Sequence, residues 1–254
     1  MFVSGEFPAF EVLAGIWAGL SPLALIAGLV KWDPVERVGG TGIGPRINSR
    51  WGWFVMEVPA LLAFPTIYFF GPHHHFVGHT VVALWGAHYT HRALIWPWIV
   101  PRRDSKMRVM LCASGIVFNV LNGGLWGWFM GYIADYANDW VTDPRFVIGV
   151  TLAISGGMLN IWSDYRLRRL RMDNGGKYVI PRGGVFNLVS CPNLLGEIIE
   201  WVGFALLSWS LPGLAFALWT IANMVPRALW RHAWYHETFE NYPLHRRAIL
   251  PRLI

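Results

Sequence analysis

The stretch Asn193–Leu211, "NLLGEIIEWVGFALLSWSL", places two carboxylates near the start of an otherwise apolar run. Glu197 and Glu200 are three residues apart, so a helix would carry both on one face. The run approaches the roughly 20 residues that a helix needs to cross a bilayer. Acidic groups are expensive inside a membrane, and they are functional candidates by default. The stretch therefore predicts a membrane-spanning helix that carries part of a site.

The composition extends this interpretation to the whole chain. Of the 254 residues, 54% are hydrophobic and only 14% are charged, and this balance is typical of a polytopic membrane protein. The last two apolar runs are joined only by Leu211–Gly213, which predicts a tight helical hairpin. We expect an all-α fold with seven transmembrane helices in one integral membrane domain, residues 1–254. The predicted spans are Val12–Val30, Trp51–Phe70, His79–Val100, Val109–Tyr132, Phe146–Trp162, Leu194–Leu211 and Leu214–Leu229.

The basic residues of the loops predict the orientation of these spans. Short loops rich in Lys and Arg stay in the cytoplasm. In this chain such loops alternate without a break, and Arg145 is the only basic residue in the loops of the opposite side. The N-terminus is therefore predicted outside and the C-terminus in the cytoplasm, in a bacterial inner membrane or the endoplasmic reticulum. The net charge of +6 reflects this topology, so we expect no nucleic-acid partner and no obligate protein partner.

Several polar side chains fall within the predicted spans. By helical rise, Glu57 lies roughly 10 Å and Arg92 roughly 15 Å from the cytoplasmic ends of their spans, with Tyr89 one turn beyond Arg92. The whole set falls in the cytoplasmic half of the membrane. Single members also fit caps or interhelical pairs, but their convergence predicts one polar cavity that opens to the cytoplasm. The other members are Asn160, Asp164, Asn193, Glu197 and Glu200.

The loop Arg166–Gly184, "RLRRLRMDNGGKYVIPRGG", combines several arginines with Lys177 and paired glycines. Guanidinium groups bind phosphates in a bidentate manner, and glycine lets a backbone approach a ligand closely. The alternative is topogenic charge without a ligand. A phosphate-rich ligand whose far end reaches Glu197 would unite the loop with the cavity.

Other motifs are weaker. His73–His75 with His79 lies on the predicted outer side, away from the polar set. The pairs His88 with His91 and His232 with His236 are too few for a di-iron enzyme, so we predict no metal. The glycines of Gly39–Gly44 have the wrong spacing for a dinucleotide fingerprint. Two isolated cysteines, Cys112 and Cys191, are expected to be buried packing residues.

Five segments carry a resemblance to a known family. In order and spacing from about Trp51 to the C-terminus, the chain resembles the steroid 5α-reductase family, and the block Tyr178–Trp201 is the most specific part. The segments are "WFVMEVP" (Trp53–Pro59), "HYTHR" (His88–Arg92), "LNIWSDYRLRRLR" (Leu159–Arg171), "YVIPRGGVFNLVSCPNLLGEIIEW" (Tyr178–Trp201) and "FENYPLHRRAILP" (Phe239–Pro251).

The resemblance implies a membrane oxidoreductase that uses NADPH to reduce the Δ4 double bond of a hydrophobic 3-oxo steroid. It implies that Glu57 and Tyr89 hold the C3 carbonyl of the steroid as catalytic residues. It also implies a set of cofactor-binding residues along the later spans. These are Arg92, Asn160, Asp164, Arg171, Tyr178, Asn193, Glu197, Arg227 and Tyr235.

The chemistry of the residues agrees with this role. Reduction of a conjugated enone requires a hydride at the β carbon and stabilisation of the negative charge that develops on the carbonyl oxygen. An apolar cavity disfavours the charged form of a carboxyl group, so Glu57 is expected to stay protonated and donate a hydrogen bond. Tyr89 would be the second donor. The proton for C4 would come from Tyr89 or from water.

Two departures from the family pattern and three alternatives accompany this prediction. Met56 stands where the family often has Gln, which bears on substrate preference, and Arg231 stands in a region where the family tends to have several histidines. One alternative is a related membrane reductase acting on sterol, polyprenol or enoyl-thioester double bonds. Another is an isoprenylcysteine-type methyltransferase, and a third is a transporter or lipid-binding protein.

Overall fold

The computed structural model describes residues 7–31, 44–100 and 105–254, and this part of the chain is mostly helical. Most of the glycine run Gly39–Gly44 and the basic residues Arg37, Arg102 and Arg103 lie outside the described residues. The elements are α1 (Pro8–Gly19), α2 (Ser21–Lys31), β1 (Arg46–Asn48), α3 (Ser49–Phe70), α4 (Phe76–Tyr89), β2 (Lys106–Arg108), α5 (Val109–Trp128), α6 (Pro144–Asp173), α7 (Pro192–Ser208) and α8 (Leu211–Thr238).

Within the described residues, four helical segments are long and apolar enough to cross a membrane. These are Pro8–Val30, Ser49–Phe70, Val109–Ile133 and Pro144–Asp173. The other predicted spans correspond to α4, α7 and α8. Helix α7 has 17 residues and α4 has 14, so neither reaches the roughly 20 residues of a straight span.

Two helices extend through π-helical segments. Thr90–Ile95 continues α4 with wider turns and leads into one α-helical turn, Trp96–Ile99. Phe129–Ile133 extends α5 in the same way. A π turn changes the direction in which the following side chains point, and such turns are frequent at functional sites. The predicted single span His79–Val100 is therefore an interrupted helix.

The sequence prediction of the last helical hairpin needs a small correction. The turn lies at Trp209 and Ser210, and Leu211–Gly213 forms the first turn of α8. Trp209 adopts a left-handed conformation with φ of 42°. The Ser210 side chain caps α8 by accepting from the Gly213 amide, and proline is well tolerated in a first helical turn.

A two-stranded antiparallel pair, β1 with β2, joins two of the loops and was not expected from the sequence. Arg46 pairs with Arg108, and Asn48 pairs with Lys106. The pairing fixes the start of α3 beside the start of α5, and these two helices then run side by side. Gly123 and Gly127 of α5 pack against α3 with little space for a side chain.

The helix ends gather at two ends of the bundle, which we name the turn end and the site end. At the turn end, the α3–α4, α5–α6 and α7–α8 connections meet. There His73 Nδ1 lies 3.0 Å from the Ala134 carbonyl oxygen, and the Tyr136 hydroxyl donates to the Ser208 carbonyl at 2.6 Å. At the site end, Arg50 at the start of α3 donates to the Pro97 carbonyl at 3.1 Å, and Arg168 near the end of α6 donates to the Ile99 carbonyl at 2.6 Å.

A core of aromatic side chains fills the bundle between these ends. Trp85, Trp126 and Trp201 are among the largest fully buried side chains. Trp201 packs on Phe216 with a ring separation of 4.2 Å, and Trp126 packs edge-on against Phe204 at 6.0 Å. Burial of such rings supplies most of the non-directional packing energy. The polar site lies at one border of this apolar core.

Candidate functional site

Helices α6 and α7 approach each other backbone to backbone, because glycines line both sides of their contact. A Cβ atom at Gly156 would meet the backbone nitrogen of Glu200, and a Cβ atom at Gly196 would meet the backbone of Asn160. Small residues allow this close packing of helices in membranes. The contact brings the polar side chains of the two helices within hydrogen-bonding distance of each other.

Four of the predicted residues form one network across this contact. Asn160 Nδ2 donates to the Asn193 carbonyl at 2.9 Å and to Glu197 Oε2 at 3.5 Å. Asn193 Nδ2 donates to Asp164 Oδ1 at 2.8 Å. Asn193 Oδ1 is buried and has no hydrogen-bond partner within residues 7–31, 44–100 and 105–254. Since buried acceptors are normally paired, this oxygen is a candidate to accept a hydrogen bond from a ligand.

Arg92 joins the network from the π-helical segment Thr90–Ile95. Its Nη1 lies 3.7 Å from Asp164 Oδ2, and its guanidinium carbon lies 5.4 Å from the centre of the Trp53 ring. Both side chains of the ion pair are largely buried. The wider π turn comes directly after Tyr89, and it carries Arg92 towards α6. The segment thus links the predicted catalytic tyrosine to the predicted cofactor network.

Glu57 and Tyr89, the two predicted catalytic residues, are both buried. Glu57 on α3 interacts electrostatically with Arg92 and Glu197 and with the Asn119 amide of α5. Tyr89 lies within electrostatic range of Glu57 and Glu197. The structure therefore places the predicted catalytic pair beside the polar network of α6 and α7.

A buried pair of His88 and Glu200 lies next to these groups. His88 Nδ1 is 2.9 Å from Glu200 Oε1, and the His88 ring packs against Tyr89 and Trp201 at 4.9 Å. Glu200 therefore pairs with a neighbouring helix, α4. The sequence did not identify His88 as the partner, because the two residues are 112 positions apart. The only sequence signal was that both fall in apolar runs.

Met56, one of the two departures from the family pattern, faces α5 directly. A Cβ atom at Gly115 would collide with the Met56 side chain, so this methionine fills the space above that glycine. It belongs to a small apolar cluster with Met107 and Cys112. Met56, the residue before Glu57 on α3, thus packs against α5.

Arg171 and Tyr178 lie on the rim of the site and contact each other. Arg171 Nη1 donates to the Tyr178 hydroxyl at 3.1 Å, and Arg171 Nε donates to the Gly176 carbonyl at 3.1 Å. Gly175 and Gly176 have φ values of 62° and 85°, a conformation that glycine adopts without strain. Tyr178 also packs edge-on against Trp234 of α8 at 5.1 Å. These residues form an exposed, positively charged border.

Helix α8 contributes Arg227 and Tyr235 from the other side. The charge of Glu197 acts on Arg227, which places this arginine beside the network. Tyr235 is buried, and its ring stacks on Tyr242 at 5.0 Å with an interplanar angle of 11°. Next to this stack, Ser190 Oγ lies 2.7 Å from the Tyr242 hydroxyl. The C-terminal segment is thus fixed against the residues that precede α7.

Arg231, the second departure from the family pattern, is an additional cation of this region. It interacts electrostatically with Asp164 and with Tyr235. The next residue, His232, is hydrogen-bonded through Nδ1 to Ser190 Oγ at 2.6 Å. An arginine at this position carries a permanent positive charge, which suits a phosphate group.

The predicted site residues therefore divide into an inner group and a rim. The inner group consists of the buried residues Glu57, Tyr89, Asn160, Asp164, Asn193 and Tyr235 and the partly buried residues Arg92, Glu197 and Arg227. The rim is Arg171 and Tyr178. In the part of the chain that the structure describes, no group of three or more His, Cys, Asp or Glu side chains could hold a metal ion. Cys112 and Cys191 are both buried free thiols.

Comparison with known proteins points to one family. A family model described as 3-oxo-5-alpha-steroid 4-dehydrogenase matches residues 105–254. The chain is 41% identical over 212 residues to 3-oxo-5-alpha-steroid 4-dehydrogenase 1 of Homo sapiens, which covers 82% of this chain and 81% of that protein. It is 38% identical over 255 residues to Steroid 5-alpha-reductase DET2 of Arabidopsis thaliana, with 96% of both chains covered.

Proposed function

Because the chain belongs to the 3-oxo-5-alpha-steroid 4-dehydrogenase family, a family of oxidoreductases, we propose that it reduces the Δ4 double bond of 3-oxo-Δ4 steroids. The reductant is NADPH, and the product is the 5α-reduced 3-oxo steroid. The observation that carries this proposal is the burial of Glu57 and Tyr89 next to the network of Asn160, Asp164 and Asn193.

Glu57 and Tyr89 act on the steroid. Both are buried, and a protonated carboxyl group and a phenol can each donate a hydrogen bond to the C3 oxygen. These donors stabilise the negative charge that develops on that oxygen as the enolate forms. The completed reaction adds a hydride at C5 and a proton at C4. Asn119 supports Glu57 from α5.

The polar network and the rim hold the cofactor. Asn193 Oδ1, which has no partner among the described residues, and the Glu197 carboxylate accept hydrogen bonds from amide and hydroxyl groups. The rim arginine suits a phosphate. When bound, NADPH supplies the hydride. The residues that we propose to hold it are Arg92, Asn160, Asp164, Arg171, Tyr178, Asn193, Glu197, Arg227 and Tyr235.

The site lies within a membrane domain. We propose that residues 1–254 form one domain with seven spans, in which α4, α7 and α8 cross the bilayer beside the four long apolar helices. The site end faces the cytoplasm, where NADPH is available, and the steroid enters from the lipid. The alternation of basic loops supports this orientation.

The reaction is tested with purified protein in detergent by following NADPH oxidation with testosterone or progesterone. Glu57→Gln keeps the shape but removes the acidic proton, so we expect kcat to fall by about 10²- to 10³-fold. Glu240→Gln, an exposed glutamate far along the chain, serves as the matched control. Steroid reduction by Glu57→Gln at the parent rate would contradict the assigned role, and no reduction by the parent would contradict the proposed function.

The cofactor assignment is tested at the rim. Arg171 donates to Gly176 and Tyr178 of its own loop. Arg171→Ala removes the cation that we propose to bind a phosphate of NADPH, so the dissociation constant of NADPH should rise roughly tenfold. Steroid affinity should change little. Arg169→Ala, whose side chain is 79% exposed and paired with Asp173, is the matched control. Equal affinity for NADPH in both variants would remove the rim from the site.

The orientation is tested by labelling single cysteines with a membrane-impermeant reagent. His74→Cys and Asp139→Cys should react from outside, and Lys106→Cys and Lys177→Cys from the cytoplasm; all four positions are exposed. The two native cysteines are buried, so the background should be low. Labelling of positions 74 and 106 from the same side would contradict the seven-span topology.

A further inference from the structure

The buried pair of His88 and Glu200 has no part in the function proposed above. His88 Nδ1 lies 2.9 Å from Glu200 Oε1, and the two side chains are only 8% and 6% exposed. The contact joins the end of α4 to α7, and α6 leaves room for it, since a Cβ atom at Gly157 would lie 3.1 Å from Glu200 Oε1. A buried pair of this kind adds little stability compared with apolar side chains of similar size. Stability alone therefore does not explain why the two residues are paired here.

Each member of the pair is followed in the chain by an aromatic residue, and the four side chains pack together. Tyr89 follows His88, and Trp201 follows Glu200. The His88 ring stands edge-on to both aromatic rings, at 4.9 Å from each. The Tyr89 and Trp201 rings are themselves 6.1 Å apart. The hydrogen bond to Glu200 thus fixes the orientation of a ring that packs directly against Tyr89.

Trp85 is a second ring against Tyr89, and it connects this packing to α3. The two rings are 4.7 Å apart, and the Trp85 indole donates to the Ala60 carbonyl of α3 at 2.8 Å. Ala60 lies three residues after Glu57, which is close to one helical turn. The packing around Tyr89 is therefore tied to the helix that carries Glu57, the other proposed donor to the steroid.

A hydrogen bond fixes a direction, which apolar packing does not. The donor and acceptor atoms must lie about 2.7–3.2 Å apart and close to a straight line with the hydrogen, so the His88 ring cannot turn without losing its contact to Glu200. A catalytic group that is misplaced by about 1 Å can lower a rate roughly 100-fold. The restraint on the ring beside Tyr89 is therefore expected to matter more for catalysis than for stability.

We propose that His88 and Glu200 are positioning residues, which hold the Tyr89 phenol where it donates a hydrogen bond to the C3 oxygen of the steroid. This inference rests on the proposed function. In this role neither residue contacts the steroid or the cofactor, and both act through the position of the Tyr89 ring. The pair should therefore affect kcat more than KM or the binding of NADPH, and only while the Tyr89 hydroxyl is present.

The test replaces the pair with apolar side chains of similar size. The double variant His88→Phe with Glu200→Leu removes the hydrogen bond without leaving an unpaired buried group, so its melting temperature should stay close to that of the parent. Its kcat for testosterone should fall roughly 10- to 100-fold, with little change in KM or in the dissociation constant of NADPH. His79→Phe, the same substitution at an exposed position of α4, is the matched control and should keep the parent kcat.

A second measurement shows whether the pair acts through Tyr89. Tyr89→Phe removes the hydroxyl and should lower kcat by about 10²-fold. In that background the double replacement should lower kcat by less than about twofold further, because residues that act as one unit have non-additive effects. A further fall of the full 10- to 100-fold there, or an unchanged kcat when Tyr89 is present, would overturn the positioning role.

A variant that retains the shape of the pair keeps the proposal testable if the double variant does not fold. Glu200→Gln weakens the hydrogen bond, so kcat should fall about threefold when Tyr89 is present and not at all in the Tyr89→Phe background. Equal falls in the two backgrounds would contradict the proposal. A parent enzyme that reduces no steroid contradicts the proposed function, which is a different result from steroid reduction that does not depend on the pair.

Discussion

The two ends of the helical bundle use polar side chains in different ways. At the turn end, side chains satisfy backbone groups of the connections: the Tyr136 hydroxyl donates to the Ser208 carbonyl, and the Trp140 indole donates to the Leu207 carbonyl. At the site end, side chains face one another across helices, as Asn193 does with Asp164. The first arrangement closes connections, and the second holds ionisable groups inside the protein.

One ion pair from each end shows the same difference. Asp143 and Arg145 are two residues apart at the start of α6, partly exposed, and joined at 2.8 Å. Arg92 and Asp164 come from different helices, are largely buried, and lie 3.7 Å apart. Burial of a charge pair rarely stabilises a protein, but removal of one member is costly. The site end therefore keeps buried charged groups, which the proposed binding of NADPH would explain.

The largest effect is expected where the site end is assembled. Gly156→Leu would force the α6 and α7 backbones apart, because even a Cβ atom there meets the Glu200 backbone. Overpacking of this kind costs about 1–3 kcal/mol or more, so we expect loss of folded protein and of NADPH binding. Gly124→Leu, at a glycine with open space around it, is the control. Size-exclusion profiles and thermal melts in detergent would compare them, and equal stability would refute the backbone contact.

The next largest effect is expected when the carboxylate of each ion pair is replaced and the losses of stability are compared. Asp164→Asn retains the acceptor for Asn193 but leaves the buried Arg92 guanidinium without this carboxylate, so the free energy of unfolding should fall by about 1.5–3 kcal/mol. Affinity for NADPH should fall as well. Asp143→Asn should change the melting temperature only slightly, because its pair is exposed to solvent. Comparable melting temperatures for the two variants would show that the buried pair at the site end is no more important for stability than the partly exposed pair at the turn end.

Within the site end, the two glutamates of α7 should behave differently. Glu197→Gln removes charge from the cofactor network, so the dissociation constant of NADPH should rise roughly tenfold. Glu200→Gln weakens the buried pair with His88 and should lower the melting temperature with little change in NADPH affinity. Fluorescence titration with NADPH and thermal melts distinguish these results. A stable but inactive Glu200→Gln beside a fully active Glu197→Gln would mean that the roles are reversed.

The smallest effect is a pH dependence at the turn end. Hydrogen bonds from Arg145 lower the pKa of Asp143 from 3.8 to about 2. A depressed carboxyl pKa stabilises the folded state above the unfolded pKa, and that stabilisation is lost as the pH falls through about 2. The small difference in melting temperature between the parent and Asp143→Asn should therefore be present at pH 5 and vanish near pH 2. A difference that grows on acidification would contradict the assigned pair.

Much of the candidate site could be predicted from the sequence because helical rise is constant. Glu57 and Arg92 were placed in the same half of the membrane by counting residues from the loop charges, and the structure brings them together. Glycines such as Gly156 and Gly196 are the sequence feature that is typical of a close helix contact like that of α6 with α7. The π turn that contains Arg92 had no such signal, since its sequence "THRALI" is compatible with an ordinary α-helix.

Composition, local periodicity and ordered motifs suffice to identify the helical class, the apolar runs and the family. Which polar groups meet depends on how the helices pack. His88 pairs with Glu200 and Asn122 finds no partner in the described part of the chain, although both lie in similar apolar surroundings. The physical reason is that hydrogen bonds between helices depend on the rotation and separation of each helix to within about an ångström, and no local pattern specifies these.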